Sequence, residues 1–246
     1  MHRLIRSELL KLTSTKMPVA FLAVLVVIAA LNAFAVISGT DMDGSKAFIA
    51  TEADQQSLMA FAFNAFLGSG LFGAIAVARE YGHHTVVPTF LASPRRHRAV
   101  LAQLLAVAAG GAVLSLIGNA LTVIALAVAL PATEYGFLVS VGHVTQVVAA
   151  SAFAGAAGAV LGAGIGSIVR NVGGAVTLAV FTFMVAPPLV VQLASGTAPW
   201  MPANLANVIS GTVDDVSQPA AVAALVVWAA VPAAIGLLTV QRRDVV

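Results

Sequence analysis

The chain has 246 residues, 60% hydrophobic and 9% charged, with mean hydropathy +0.99, a formal net charge of +2 and no cysteine. Soluble domains carry about 25% charged residues, so this composition excludes an ordinary soluble fold. Disulfides and thiolate metal sites are excluded as well, and basic residues scattered over separate loops give no support for nucleic-acid binding.

Residues 1–16 are expected to form an amphipathic interfacial helix. Ile5, Leu9 and Leu12 recur at helical spacing beside Leu4 and Leu10, with Arg3, Arg6 and Lys11 mostly elsewhere. The apolar run 18–37 is long enough to span a bilayer, so it is assigned as the first span (about 17–37) rather than the core of a cleaved leader. An acidic connection leads to a second span at about 57–78 and an inner segment at about 79–98. A third span lies within 99–130 and a fourth within 142–169, separated by Pro131 and Glu134. Arg170 and Asn171 make a tight turn into a fifth span, about 173–194, and a connection of about 195–219 precedes a sixth, about 220–240. These are continuous Ala/Val/Leu runs without period-two alternation, which indicates helices rather than a barrel. The expected fold is an all-α polytopic membrane protein in which residues 17–246 form one six-helix transmembrane domain.

The charges set its orientation. Eleven of the twelve Lys and Arg residues fall in four clusters: Arg3, Arg6, Lys11 and Lys16; Arg79, Arg95, Arg96 and Arg98; Arg170; Arg242 and Arg243. The alternate connections hold only Lys46, but seven of the ten acids: Asp41, Asp43, Glu52, Asp54, Glu134, Asp214 and Asp215. Basic loops resist translocation, so both termini are expected to be cytoplasmic in a multi-pass protein of the cell membrane.

Catalytic chemistry finds little footing. No Lys, Arg, Asp or Glu lies near the middle of a span, where such a residue would mark a proton or ion path. His143 stands at an outer helix end. Ser69 and Ser167 sit in glycine-rich surroundings, but no histidine lies at comparable depth to act as base. His83, His84 and His97 make a poor metal set, and no phosphate-cradling lysine loop exists. No catalytic, cofactor or metal residue is assigned, and the chain is expected not to be an enzyme.

The spans do carry helix-packing patterns. Gly158, Gly162 and Gly166 recur every four residues, beside a stripe of Ser151, Gly155, Ala159 and Ala163. Gly111, Ser115 and Asn119 repeat the spacing, and Asn64 and Gln192 are expected as buried amides. These residues either glue helices together or line a cavity or dimer seam. Pro187, Pro188 and Pro232 are expected to kink their helices.

The inner segment reads EYGHHTVVPTFLASPRRHR, too polar to span and too apolar for a tether. A short amphipathic helix after Thr85, ending near Pro94, would expose Val86, Val87, Phe90 and Leu91 to a partner: the protein's own helices, lipid headgroups or a cytoplasmic protein. The plainer reading is a solvated loop that only sets topology. The segment resembles the loop of ATP-binding-cassette (ABC) type-2 export permeases, with Glu80, Thr85, Pro94, Arg95 and Arg96 matching. It departs at His84, where glycine is usual, and at Gln103, where lysine is common. The resemblance extends to RSELLKL before the first span, LGAGIGSIVRN ending the fourth and the closing QRRDVV, within one six-helix plan.

That resemblance implies a coupling helix docked on a separate ABC ATPase subunit, with ATP and Mg on that partner and a second permease copy or paralogue completing the assembly. Glu80 and Thr85 would orient the segment, Val86, Val87, Phe90 and Leu91 would dock, and Arg95, Arg96 and Arg98 would anchor it. It also implies outer half-helices that cap the substrate path around Trp200 and residues 204–209. The implied function is export of an amphipathic or hydrophobic compound. The alternatives are a polytopic secondary carrier or intramembrane enzyme, or a non-transporting membrane anchor for a cytoplasmic protein.

Overall fold

The computed structural model describes the backbone of residues 2–59, 62–82 and 96–242, with side chains for 2–59, 66–82 and 97–240. Among the described residues all regular structure is helical. The helices are α1 (His2–Thr13), α2 (Met17–Ser38), α3 (Glu52–Met59), α4 (Ala62–Gly82), α5 (Arg96–Ala129), α6 (Val141–Val169), α7 (Val172–Val180), α8 (Ala186–Leu193), α9 (Pro202–Ser210) and α10 (Gln218–Arg242). Five rods are long and apolar enough to cross a membrane: Met17–Ser38, His97–Ala132, Val141–Val169, Val172–Leu193 and Gln218–Val240. Helix α4 adds 21 residues to the bundle, about 31 Å at the α-helical rise.

The described residues of the second expected span are helical and extend it at both ends: 57–59 belong to α3, which starts at Glu52, and α4 runs on to Gly82. Thr51 and Asp54 set this start, because they cap it reciprocally: Asp54 N–H donates to Thr51 Oγ1 at 3.2 Å, and Thr51 N–H to Asp54 Oδ2 at 3.0 Å.

Helix α6 is the hub, packed against α4, α5 and α10. Two of its small-residue stripes face different neighbours. Gly158, Gly162 and Gly166 meet the backbone of α4: a Cβ at Gly158 would lie 2.7 Å from Phe66 O, one at Gly162 would collide with Gly70 O, and one at Gly166 would lie 2.6 Å from Ala74 O. Gly155 abuts Ser115 and Gly111 of α5, and Gly164 abuts the backbone of Pro232 and Ala233 in α10. Small side chains let backbones approach this closely, and packing of that kind replaces the hydrophobic drive that lipid abolishes.

The other helices are peripheral. Helix α2 lies against α5, presenting Phe21, Leu25, Ala29 and Val36 inward and Val24, Val27, Leu31 and Phe34 outward. Phe21 meets Phe72 of α4 edge-on, with ring centroids 5.6 Å apart. Helix α9 lies back on α10, α6 and α4 and buries Pro202, Leu205, Ala206 and Val208. Between α7 and α8 the chain widens into a π-helical turn, Phe181–Val185, where Ala186 N–H bonds Phe181 O. Pro187 and Pro188 cause it, since neither has an N–H to offer and each ring crowds the carbonyl four residues earlier.

Charge is sorted between the two ends. At one end Lys11 of α1 meets Glu80 of α4, and Arg170, between α6 and α7, lies 5.2 Å over the Tyr81 ring and donates to Thr239 O of α10 at 3.4 Å. Helices α1 and α10 therefore bring both described ends of the chain to this basic end. At the other end the first two acidic connections pack together around Ile49, Met59, Leu130 and Val139.

Candidate functional site

At the basic end, α4 extends past its apolar stretch to carry Arg79, Glu80 and Tyr81. Glu80 lies among three helices: Lys11 Nζ stands 3.7 Å from its Oε2, and Gln103 of α5 hydrogen-bonds its carboxylate. The same Lys11 pairs with Glu8 at 2.6 Å, and Glu8 is buried against the bundle. Burial raises the Glu80 carboxyl above its ordinary value, and the neighbouring Glu8 charge pushes the same way, while Lys11 opposes them. The cluster docks α1, and it joins the described residues on the two sides of 83–95, since Glu80 belongs to α4 and Gln103 to α5. Thr85, Val86, Val87, Phe90, Leu91 and Arg95 lie outside the described residues. Arg96 lies on α5, and His97 beside it is exposed.

Arg170 closes α6 in the left-handed conformation, φ 60°, its N–H bonding Gly166 O at 2.9 Å. Asn171 then caps α7, its Oδ1 accepting from Gly174 N–H at 2.7 Å. This is the tight turn expected there, and it fixes the guanidinium over Tyr81.

A second site lies near mid-height. A small cleft of about 30 Å³ opens between α2, α4 and α5, lined by Phe21, Leu25 and Ile28, by Ser69, and by Leu114, Ser115, Asn119 and Thr122. Asn119 Nδ2 donates to Met59 O at 3.0 Å, while its Oδ1 is buried without a partner among the described residues. Ser69 donates to Phe66 O at 3.3 Å and Thr122 to Gly118 O at 3.0 Å.

The polar and small residues singled out in the sequence separate by place. Ser115 and Asn119 line the cleft, whereas Gly111 of the same periodic set faces Gly155 of α6. Gly158, Gly162 and Gly166 lie between α6 and α4. Asn64 is on α4, with its side chain outside the described residues. Gln192 corrects the expectation of a buried amide: it is exposed in the last turn of peripheral α8, where no neighbouring helix covers it.

Two residues escaped sequence reasoning. Gln55, fully buried, donates to Ile49 O at 3.1 Å and Gly136 O at 3.0 Å and accepts from Leu138 N–H at 2.9 Å, clasping the connections at the acidic end. Lys46, the one basic residue there, donates to the last carbonyls of α2, Val36 O and Ile37 O, and so balances the negative helix terminus. The first gives no sequence signal, while the second shows as a lone lysine shortly after a span.

Among the described residues no group of His, Asp or Glu is arranged to hold a metal ion. No protein-family model matches the chain, and comparison with curated proteins returns no match.

Proposed function

We propose that this chain is the membrane-spanning subunit of an ATP-driven ABC exporter. In this reading it crosses the cell membrane six times, with α4 as the second span and the basic end cytoplasmic. A separate ATPase binds and hydrolyses ATP with Mg, and the 83–95 segment transmits its motion. Two permease subunits, identical or paralogous, would form the path for an amphipathic or hydrophobic compound.

The observation that supports this best is the joint at Glu80. The helices flanking the coupling segment are fastened to one another and to α1 by one small cluster, Glu8, Lys11, Glu80 and Gln103, beside the basic side chains of one end. A push on the segment would then move α4 and α5 together, and α4 bears directly on the hub helix α6. The half-helix α9, packed back onto the bundle at the opposite end, suits a cap over a path.

Co-expression with candidate ABC ATPases tests the proposal. Phe90→Asp with Leu91→Asp should abolish recovery of the ATPase in a pull-down while membrane insertion stays intact. Unchanged recovery would remove the coupling role from this segment.

A further inference from the structure

Helix α1 turns two unlike faces to its surroundings. Glu8 and Leu12, one turn apart, make the inward one: Glu8 is buried against the bundle, and Leu12 packs in one apolar cluster with Met17, Phe21, Phe72 and Val107. Arg3, Arg6, Leu10 and Thr13 recur three and four residues apart on the other side, and all four are exposed. The single acid of the helix is thus turned inward, where it pairs with Lys11.

The cations of this end divide in the same way. Lys11 pairs with Glu8 and Glu80, and Arg170 is held by Tyr81 and Thr239. Arg3 and Arg6 on the exposed stripe, and Lys16 at the joint with α2, make no ion pair among the described residues. Leu10, 59% exposed, lies between the two arginines around the helix. A stripe that sets an apolar side chain between two guanidinium groups suits a surface where anionic oxygens border hydrocarbon.

The fold puts the stripe beside such a surface. Only residues 14–16 separate α1 from α2, and Leu12 and Met17 share one cluster, so the last turn of α1 stands where the first apolar rod begins. Helix α2 exposes Val19 at once, 66% accessible, and then Val24 and Val27. The exposed side of α1 therefore runs on into a face that only lipid can cover along its length, which favours a bilayer over a soluble acidic protein.

We propose that the outward stripe of α1 docks on the headgroups of anionic phospholipids. Arg3 and Arg6 donate to phosphate oxygens, Leu10 enters the edge of the acyl layer, and Lys16 adds its charge at the joint. The docking needs a bilayer and nothing else, so it stands or falls apart from the ATPase, the second copy and transport.

The test is hydrogen exchange of the full chain in nanodiscs of phosphatidylcholine, alone or with phosphatidylglycerol added. Amides of α1 should exchange roughly thirtyfold more slowly in the anionic discs, equivalent to about 1 kcal/mol for each arginine, while those of α6 stay unchanged. High salt should remove the difference. Arg3→Gln with Arg6→Gln alters exposed positions away from the inward contacts, so it should abolish the difference with the melting curve retained. Arg3→Lys with Arg6→Lys should keep most of it, because the attraction is one of charge. Equal exchange of α1 in the two discs would overturn the proposal and point to a protein on the stripe instead. So would a difference that survives in the folded glutamine variant. The same slowing in phosphatidylcholine discs on adding soluble glycerol phosphate, which has the charge without the chains, would overturn it too.

Discussion

Helices α2 and α6 are both apolar, and they occupy opposite places. The mean hydropathy of α2 reaches 2.8 with 11% of that stretch buried, whereas α6 reaches 1.8 with 67% buried. In a soluble protein the order would be reversed. Here lipid tails solvate Val and Leu as well as a protein interior does, so hydropathy does not sort the helices into inside and outside. Side-chain size does. Apart from Val147, Leu161 and Ile165, every buried residue of α6 is Ala, Gly or Ser.

Changes that add bulk to α6 should break this contrast hardest. Gly162→Leu would drive a side chain into the backbone of Gly70 and Ala74. Overpacking costs about 1–3 kcal/mol or more, and with rigid backbone as the neighbour the upper end applies. The expected outcome is loss of the monodisperse peak in size-exclusion chromatography.

Next comes the acidic end, where one side chain stands in for many contacts. Gln55→Leu leaves Ile49 O, Gly136 O and Leu138 N–H without their partner. At about 1–3 kcal/mol for each buried group left unpaired, this substitution should lower the melting temperature far more than its modest change in volume suggests.

Smaller effects are expected at the basic end, and they depend on pH. Burial raises the Glu80 carboxyl in the folded protein, so the folded state takes up its proton more readily than the unfolded chain does. Its contribution to stability is fully present below the ordinary glutamate value and is lost as pH rises through the raised one. Protection of α1 from hydrogen exchange should accordingly increase as pH falls through that window, and Glu80→Gln should flatten the dependence. The smallest effect belongs to α2: Val27→Ala on its outward face should shift stability by under about 0.5 kcal/mol in a denaturation series.

Much of this arrangement was legible in the sequence, for identifiable reasons. The long rods show as unbroken apolar runs. The interior position of α6 is foreshadowed by Gly158, Gly162 and Gly166 at a spacing that keeps one helix face small. The start of α3 was less visible, because the cap formed by Thr51 and Asp54 lies inside what hydropathy presents as an acidic loop. Gln55 was silent, since its partners Gly136 and Leu138 are 81 and 83 residues away and no local pattern links them. Gln192 misled because a lone amide in an apolar run suggests burial, whereas its position in the final turn of a peripheral helix leaves it at the surface.

The account depends on a bundle whose basic end faces the cytoplasm and whose acidic end faces out, and the absence of native cysteine makes that directly measurable. Asp43 and His97 are both exposed, at opposite ends. In intact expressing cells, a membrane-impermeant maleimide should label Asp43→Cys and spare His97→Cys until the membrane is opened. Labelling of His97→Cys in sealed cells would contradict the account.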